Sequence, residues 1–418
     1  MSASARPTAA ILITGSELLL GLVADRNTSF LARALDRLGI DLQRVLVVGD
    51  REDEIVEGLR ALEGHDLIVT SGGLGPTHDD RTVAAVASAS GRGIAMDPVL
   101  RDRIAEIMDA FSRQRGIPRA DYADGIDKQA LVPDGAHVID PIGTAPGLIV
   151  PWSAATVVVL PGPPAELAQM WPVVESHGAM AALRGGERPE RSLLRVFGVS
   201  ESVVARAFED GGGDSAGTTT TICARRSEVE ILVRAPVSAR EARLRLTDHL
   251  RARFARDVFS EDERPLEELV LDAARAREAT IATAESCTAG LVAARLTDIA
   301  GSSDVVLGGI VAYANDVKHA LLGVPGALLE RHGAVSAECA EAMARGALAA
   351  TGATLAISTT GIAGPGGGSP DKPVGLVYLH CAAPWGEVGR RVVFPGDRAA
   401  VRDGASTAAL HLALSLLR

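Results

Sequence analysis

The sequence predicts an α/β protein built in three units, and three observations carry that reading. Short apolar runs of strand length alternate with segments whose apolar residues recur at helical spacing. Glycine occurs 44 times in 418 residues, as many tight strand–helix turns require. Aromatic residues make up only 3% against 47% hydrophobic, so the cores are built from Ala, Val, Leu and Ile.

The first unit covers residues 1–175. Residues 9–15 form an apolar strand, and Asn27 is positioned to cap a helix reaching about Leu38. Residues 42–48 read as a second strand, 52–62 as a second helix and 66–71 as a third strand, with a further helix expected from Thr77. This alternation implies a parallel, doubly wound sheet, which binds ligands at the carboxyl ends of its strands. Composition shifts after Trp171-Pro172, and residues 178–191, rich in Gly, Ala, Arg and Pro, read as a connector. The second unit, residues 176–263, is a small α+β module with strands at 193–196 and 228–233 and helices over 200–208 and 239–254. Its glycine-rich stretch 211–217 reads as a flexible loop. The third unit, residues 264–418, opens on the strand 279–284 and continues with strands at 305–313, 355–359, 374–381 and 391–394. Ser336 caps a helix there that extends to about Ala349.

A formal net charge of −11 and a pI near 5.4 count against a nucleic-acid-binding surface. No apolar run approaches the ~20 residues of a membrane span, and the N-terminus lacks the apolar core of a signal peptide. Cys223, Cys287, Cys339 and Cys381 form no C-x-x-C pair, so neither a zinc knuckle nor a redox motif is indicated. The composition reads as that of a soluble cytoplasmic protein.

Ser286 falls between the strand 279–284 and a segment in which Leu291, Val292, Leu296 and Ile299 recur at helical spacing. It is therefore expected at or just before a helix N-terminus, where free N–H groups and the helix dipole favour a developing negative charge. Two roles fit that place: an N-cap, and a nucleophile with oxyanion donors already aimed at it. A serine nucleophile needs a base, and no Ser-His-Asp order stands out. A lysine whose pKa is lowered by burial or by a neighbouring cation serves as one. Taken alone, Lys318 reads as a solvated helix residue and Tyr313 as a packed strand-end aromatic. His319 is the rival base, but successive helical residues point about 100° apart, so it cannot share the direction of Lys318. The glycine loop holding Gly364 and Gly366 is either a turn or, with an arginine nearby, a phosphate cradle. Arg398 and Arg402 follow at a helix start.

The runs T-A-E-S-C-T-A-G, G-G-I-V-A-Y-A-N-D-V-K, H-G-A-V-S, T-G-I-A-G-P-G-G-G and P-V-G strongly resemble the CinA family (competence/damage-inducible protein A), and the resemblance covers essentially the whole chain. It implies that the third unit is a nicotinamide mononucleotide amidohydrolase needing no cofactor, which releases ammonia and leaves nicotinate mononucleotide. It implies Ser286 as nucleophile and Lys318 and Tyr313 in proton transfer. Thr360, Gly364, Gly366 and an arginine, Arg398 or Arg402, are the implied substrate contacts. Ala289 departs from the family, which usually has a second glycine there.

In the first unit the runs T-G-S-E-L-L-L-G, S-G-G-L-G-P-T-H-D-D, K-Q-A, G-T-A-P-G and L-P-G-P-P-A-E stand out. Gly72, Gly73 and Gly75 let backbone N–H groups approach a phosphate, and Thr77 is positioned to cap the helix that follows. Asp79 and Asp80 then fall in the first helical turn. There they interact with the helix dipole or, beside an anionic ligand, share a bridging divalent cation. The unit resembles the molybdopterin-binding fold shared with molybdenum-cofactor biosynthesis proteins. Within the CinA family this implies ADP-ribose pyrophosphatase activity rather than molybdopterin chemistry. The implied nucleotide site is Gly72, Gly73, Gly75, Thr77, Lys128, Gly143 and Thr144, with a Mg2+-type cation on Asp79, Asp80 and Glu166. Arg26 and Asp140 depart from the family pattern.

The leading expectation is a bifunctional nicotinamide-nucleotide salvage enzyme, a homodimer acting on nicotinamide mononucleotide and ADP-ribose. One alternative is a chain with one active unit, the other binding a nucleotide or pterin. Another is a non-enzymatic competence or DNA-damage factor, against which the acidic balance counts.

Overall fold

The computed structural model describes residues 6–115, 122–183, 188–225 and 227–418, and the chain falls into two compact units, Met1–Pro189 and Glu190–Arg418. The expected connector begins as a short helix, Gly178–Leu183, and its residues 184–187 lie outside the described ones. Among the described residues no helix is long and apolar enough to cross a membrane.

The first unit contains β1 (Thr8–Thr14), β2 (Asp41–Val48), β3 (Leu67–Ser71), β4 (Ile94–Met96), β5 (Leu131–Pro133), β6 (His137–Ile139), β7 (Gly147–Trp152) and β8 (Ala155–Leu160). Six of these make one sheet in the order β2-β1-β3-β8-β7-β6, while β4 and β5 pair separately. The first four run parallel as expected, but β7 and β6 are antiparallel, so the sheet is mixed. The cause is local: only Ser153 and Ala154 separate β7 from β8, and so short a connection can only reverse the chain. Helices α1 (Asn27–Leu38), α2 (Glu52–Ala61), α3 (Thr82–Ser90) and α4 (Pro164–Ser176) cover both faces. Because strand side chains alternate, Ile11 and Ile13 of β1 pack with α1 and α4, whereas Ala10 and Leu12 pack with α2 and α3.

Two helix starts differ from expectation. Asn27 is the first residue of α1 rather than its cap; Asp25 Oδ1 accepts from the N–H groups of Asn27 and Thr28 at 2.9 and 3.1 Å. The Asn27 side chain turns inward, donating to Ser71 Oγ and Gly162 O. The helix expected from Thr77 begins at Thr82. Residues 77–80 form a turn instead, with the Asp80 carboxylate accepting both the N–H and the hydroxyl of Thr77 at 2.9 and 2.7 Å. Short polar side chains compete in this way with helical backbone bonding.

The second unit opens with β9 (Glu190–Phe197), β10 (Thr219–Arg225), β11 (Glu228–Ala235) and β12 (Val258–Ser260), an antiparallel sheet in the order β10-β11-β9-β12. Helices α5 (Glu201–Asp210) and α6 (Arg240–Arg253) accompany it. β10 escaped the pattern reading because it is a polar run, yet its β-branched threonines suit an exposed edge. Then come β13 (Ile281–Glu285), β14 (Val306–Val311), β15 (Leu355–Gly361), β16 (Leu376–Ala383) and β17 (Gly386–Val393), ordered β14-β13-β15-β16-β17. β14, β13 and β15 are parallel, so their carboxyl ends share one edge of the sheet.

Helices α7 (Leu266–Ala276), α8 (Leu291–Thr297) and α11 (Arg398–Leu417) cover one face with a Leu- and Ala-rich core. Helices α9 (Asn315–Leu322) and α10 (Ala337–Thr351) cover the other over Ala282, Ala284, Ala356 and Ala382. Ser336 caps α10 as expected, its Oγ accepting from Cys339 N. Gly346 lets α10 lie against the end of α9, where an added Cβ would collide with the carbonyl of Leu322.

A buried polar cluster ties α11 to the small sheet. His411 Nε2 lies 2.8 Å from Glu228 Oε1, Arg195 donates to Glu228 Oε2 at 3.0 Å, and the imidazole stacks on Phe197. Burial lowers the pKa of His411, so the imidazole is neutral. Burial alone would raise the Glu228 carboxyl, but His411 and Arg195 outweigh it and hold it low. Both folded values lie below their unfolded ones. The stability they contribute is therefore complete above the free histidine pKa of 6.5 and lost as pH falls. Replacing Glu228 with Ala removes the buried carboxylate shared by Arg195 and His411 and leaves the Arg195 guanidinium with the more exposed Glu230 at 3.3 Å and the carbonyl of Arg264. Urea unfolding is expected to show a loss of about 3 kcal/mol and a flatter acid limb of stability against pH.

Candidate active site

β13 ends on Glu285, and Ser286 follows it directly, its N–H donating to Thr359 O at 2.9 Å in continuation of the parallel ladder. The helix expected at Ser286 begins only at Leu291. Its N-terminal N–H groups are already taken: Glu285 accepts from Gly290 and Val292 through Oε2, at 2.9 and 3.1 Å, and from Ala293 through Oε1 at 2.9 Å. Glu285 is 1% exposed, and a buried carboxylate must find donors. Sequence reading overlooked Glu285, although an acid ending an apolar strand was the available signal.

Lys318 lies on α9 and is 1% exposed, among the largest fully buried side chains of the protein. Its Nζ lies 3.0 Å from Ser286 Oγ, 2.8 Å from Ala312 O and 2.9 Å from Tyr313 O. No carboxylate lies within ion-pair distance of it among the described residues. Burial pushes its pKa below the ordinary lysine range. Nζ donates in all three contacts when charged; in the neutral amine two N–H groups still meet the carbonyls and the lone pair is left for the Ser286 hydroxyl. His319 turns away and places Nδ1 2.9 Å from Val324 O. Cys287, beside the serine, is a neutral thiol, since burial raises its pKa to about 11.

Ser286 and Lys318 open onto a cavity of about 270 Å³ that Tyr313, Thr360, Gly364, Gly366 and Arg398 also line. Thr360 donates its hydroxyl to Ala334 O at 2.6 Å. Arg398 donates to Gly364 O and to the Tyr313 phenol oxygen, both at 2.9 Å. The Tyr313 phenol is thus held by Arg398, and it is the main-chain carbonyl of Tyr313 that touches Lys318. Arg402 is not part of the cavity lining. It donates to Cys287 O and Thr288 O, at 3.2 and 2.9 Å. The apolar walls, Val335, Ile362 and Ala363, fall within the runs H-G-A-V-S and T-G-I-A-G-P-G-G-G but were not among the expected site residues.

The first unit has a cavity of about 310 Å³ at the carboxyl ends of its parallel strands, lined by Gly72, Gly73, Gly75, Asp79, Asp80, Thr144 and Glu166. Gly72 and Gly73 have φ of 106° and 66°, and an added Cβ at Gly72 would sit 2.5 Å from Thr14 O, so glycine is required there. Asp50, Glu17 and Gln129 line it without having been foreseen. Thr77, Lys128 and Gly143 stand outside the lining. Lys128 Nζ donates to Thr77 O, and Gly143 makes room for Glu166, whose Oε1 would be 2.6 Å from a Cβ. The Thr77 hydroxyl holds the Asp79 carboxyl below its usual range, while burial raises that of Glu166. Among the described residues no three His, Cys, Asp or Glu side chains gather closely enough to hold a metal ion. Asp79, Asp80 and Glu166 therefore do not form the expected ligand set.

The fold and these cavities define a two-part α/β protein, with a buried serine–lysine pair in one part and a glycine-bordered acidic cavity in the other. The family model for the CinA C-terminal domain matches residues 263–417, and that for a probable molybdopterin binding domain matches residues 10–177. A CinA-like protein of Mycobacterium sp. (strain MCS) is 47% identical over 412 residues, 97% of each chain. A CinA-like protein of Mycobacterium tuberculosis (strain ATCC 25618 / H37Rv) is 45% identical over 424 residues, covering 99% of this chain and 97% of the relative. The solved competence/damage inducible protein CihA from Agrobacterium tumefaciens is 41% identical over 38% of this chain and 100% of its own, with a TM-score of 0.36. The chain belongs to the CinA family.

Ala289 sits in the left-handed region at φ 51°, followed by Gly290 at φ 93°. A non-glycine residue held there costs about 1–3 kcal/mol. Glycine loses about 0.5–1 kcal/mol more entropy on folding than alanine. Ala289→Gly is therefore expected to stabilise the chain by about 1 kcal/mol, read as an upward shift of the denaturation midpoint.

Proposed function

We propose that the C-terminal part hydrolyses the amide of nicotinamide mononucleotide to nicotinate mononucleotide and ammonia. The observation that carries this reading is the 3.0 Å contact between Lys318 Nζ and Ser286 Oγ, buried and without a carboxylate partner, at the wall of a cavity bordered by Arg398. Neutral Lys318 takes the Oγ proton as Ser286 attacks the amide carbon. Collapse of the tetrahedral intermediate breaks the C–N bond, and Lys318 returns the proton so that ammonia leaves. Water then gives a proton to Lys318 and attacks the acyl ester, and Ser286 leaves with that proton as the acid is freed. Arg398, with the glycine loop, is the group that meets the ligand phosphate.

Ser286→Ala is expected to cut ammonia release by about 10³-fold or more without loss of folding. Lys318→Ala should lower kcat by about 10²–10⁴-fold with little change in KM, and His319→Ala should do little. Because only neutral Lys318 accepts a proton, the wild-type rate falls as pH drops through its lowered pKa. That limb should persist in His319→Ala and vanish in Lys318→Ala. A limb that disappears with His319 overturns the lysine assignment, and absence of ammonia release by the full chain overturns the substrate.

For the first unit we propose binding and cleavage of a pyrophosphate-bearing nucleotide of the ADP-ribose type. Gly72, Gly73 and Gly75 offer close backbone approach, and the lining holds the carboxylates Glu17, Asp50, Asp79, Asp80 and Glu166 with no basic side chain. Such surroundings repel a bare diphosphate, so a divalent cation must accompany it. As arranged, the carboxylates make no ligand set, and no step is assigned to them. Chelator is expected to stop ADP-ribose cleavage and spare ammonia release, with Asp80→Asn acting alike. Calorimetric titration of Mg2+ should show measurable uptake only when ADP-ribose is present. Equal inhibition of both activities by chelator overturns the separation of roles.

A further inference from the structure

Arg398, Arg402 and Ser406 follow one another at four-residue intervals on α11 and so share a face of that helix. Arg398 reaches the cavity. Ser406, with Thr407, accepts from Arg295 of α8, whose guanidinium also pairs with buried Glu267 at 2.5 Å. Between these contacts stands Arg402, half-buried, with Nε on Cys287 O and Nη2 on Thr288 O.

The segment it grips joins the serine to α8 and includes the left-handed residues Ala289 and Gly290. Ahead of that segment, Ser286 is fixed through its N–H on Thr359 O. Beyond it, Glu285 holds the N–H groups of Gly290, Val292 and Ala293. Peptide units are rigid planes, so fixing two successive carbonyls fixes the tilt of the chain leaving Ser286. The base is anchored separately, by Ala312 O and Tyr313 O between β14 and α9. Nucleophile and base thus belong to different segments, and their alignment persists only if each is held independently.

We propose that Arg402 is a positioning residue for Ser286: its forked grip on the carbonyls of Cys287 and Thr288 keeps Oγ in line with Lys318 Nζ, and it makes no contact with substrate. The inference rests on Ser286 being the nucleophile. A guanidinium suits the task because its planar fork holds two N–H groups in a fixed relative orientation on two acceptors, whereas the donors of an ammonium rotate on a flexible stem. A misplacement of about 1 Å between reacting groups costs on the order of 10²-fold in rate.

The test uses full-length Arg402→Ala and Arg402→Lys, with Arg398→Ala for comparison. Two readouts are taken, with and without added guanidinium. One is kcat and KM for ammonia release from nicotinamide mononucleotide. The other is the rate at which a small fluorophosphonate labels Ser286, which needs no knowledge of the substrate. Arg402→Ala is expected to lower kcat and labelling by about 10²-fold with KM within about threefold, and guanidinium should restore part of both. Arg402→Lys, which keeps the charge and the half-buried stem, should show an intermediate loss. Arg398→Ala should chiefly raise KM. The proposal is overturned if Arg402→Ala raises KM while kcat and labelling stay at wild-type level, or if all readouts are unchanged. It is also overturned if guanidinium restores nothing in folded Arg402→Ala. A wild-type chain labelled at Ser286 but inert toward nicotinamide mononucleotide defeats the substrate reading alone, and the labelling rates still decide the role of Arg402. An unlabelled wild-type Ser286 defeats both.

Discussion

A lysine amine buried without a counter-charge is the constraint on which the C-terminal architecture depends. Taking an ammonium out of water is costly unless it is paired, and burial without a partner favours the neutral form. Lys318 meets this with Ala312 O, Tyr313 O and Ser286 Oγ. Each acceptor imposes a demand on the fold. The two carbonyls turn inward only because the chain leaves β14 at Val311 and enters α9 at Asn315. The serine lies within reach only because β13 pairs parallel with β14, bringing both carboxyl ends to one edge. The small side chains beneath α9 and α10 then let those helices seal the amine from water.

The surroundings of the serine follow a different economy from the one its sequence suggests. A strand–serine–helix motif invites the view that the helix dipole stabilises an oxyanion. Here Glu285 occupies that helix end, so its N–H groups hold a resident carboxylate. The helix thereby becomes an anchor for the turn rather than part of the chemistry. Ala289 lies in a backbone region that alanine rarely adopts, and such strain persists only where neighbouring contacts over-determine the conformation. Glu285 beyond the turn and Arg402 on its carbonyls supply those contacts.

Most strands of the second unit were legible as apolar runs bounded by turn residues, but in the first unit only β1, β2 and β3 were, and the buried apolar β7 and β8 were not read. What escaped was decided elsewhere. Residues 77–80 looked like a helix start, but the Asp80 carboxylate closes a local turn first. Arg398 and Arg402 are equivalent in pattern, four residues apart on one helix. Only contacts with residues distant in sequence, Gly364 and Tyr313 for Arg398 and Cys287 and Thr288 for Arg402, send one to the cavity and the other to the turn behind it. Tyr313 lines the cavity, yet its phenol and its carbonyl make different contacts, a distinction no side-chain motif records. The Asp79, Asp80 and Glu166 trio shows the reverse failure: the residue types suited a cation, but two of them are drawn onto Thr77.

Both units place a cavity at the carboxyl ends of parallel strands, where helix crossovers leave an opening, but the electrostatics are opposite. The C-terminal cavity has an arginine at its rim and, among the described residues, no carboxylate in its lining, surroundings that suit an anionic group. The cavity of the first unit presents carboxylates and no base, and its glycines provide closeness without charge. Backbone N–H groups alone cannot offset that many negative charges around a diphosphate. On the proposed reading of this unit, an anion reaches those glycines in company with a cation and leaves when the cation is withdrawn. The same topology therefore yields one cavity bordered by an arginine and another lined by carboxylates.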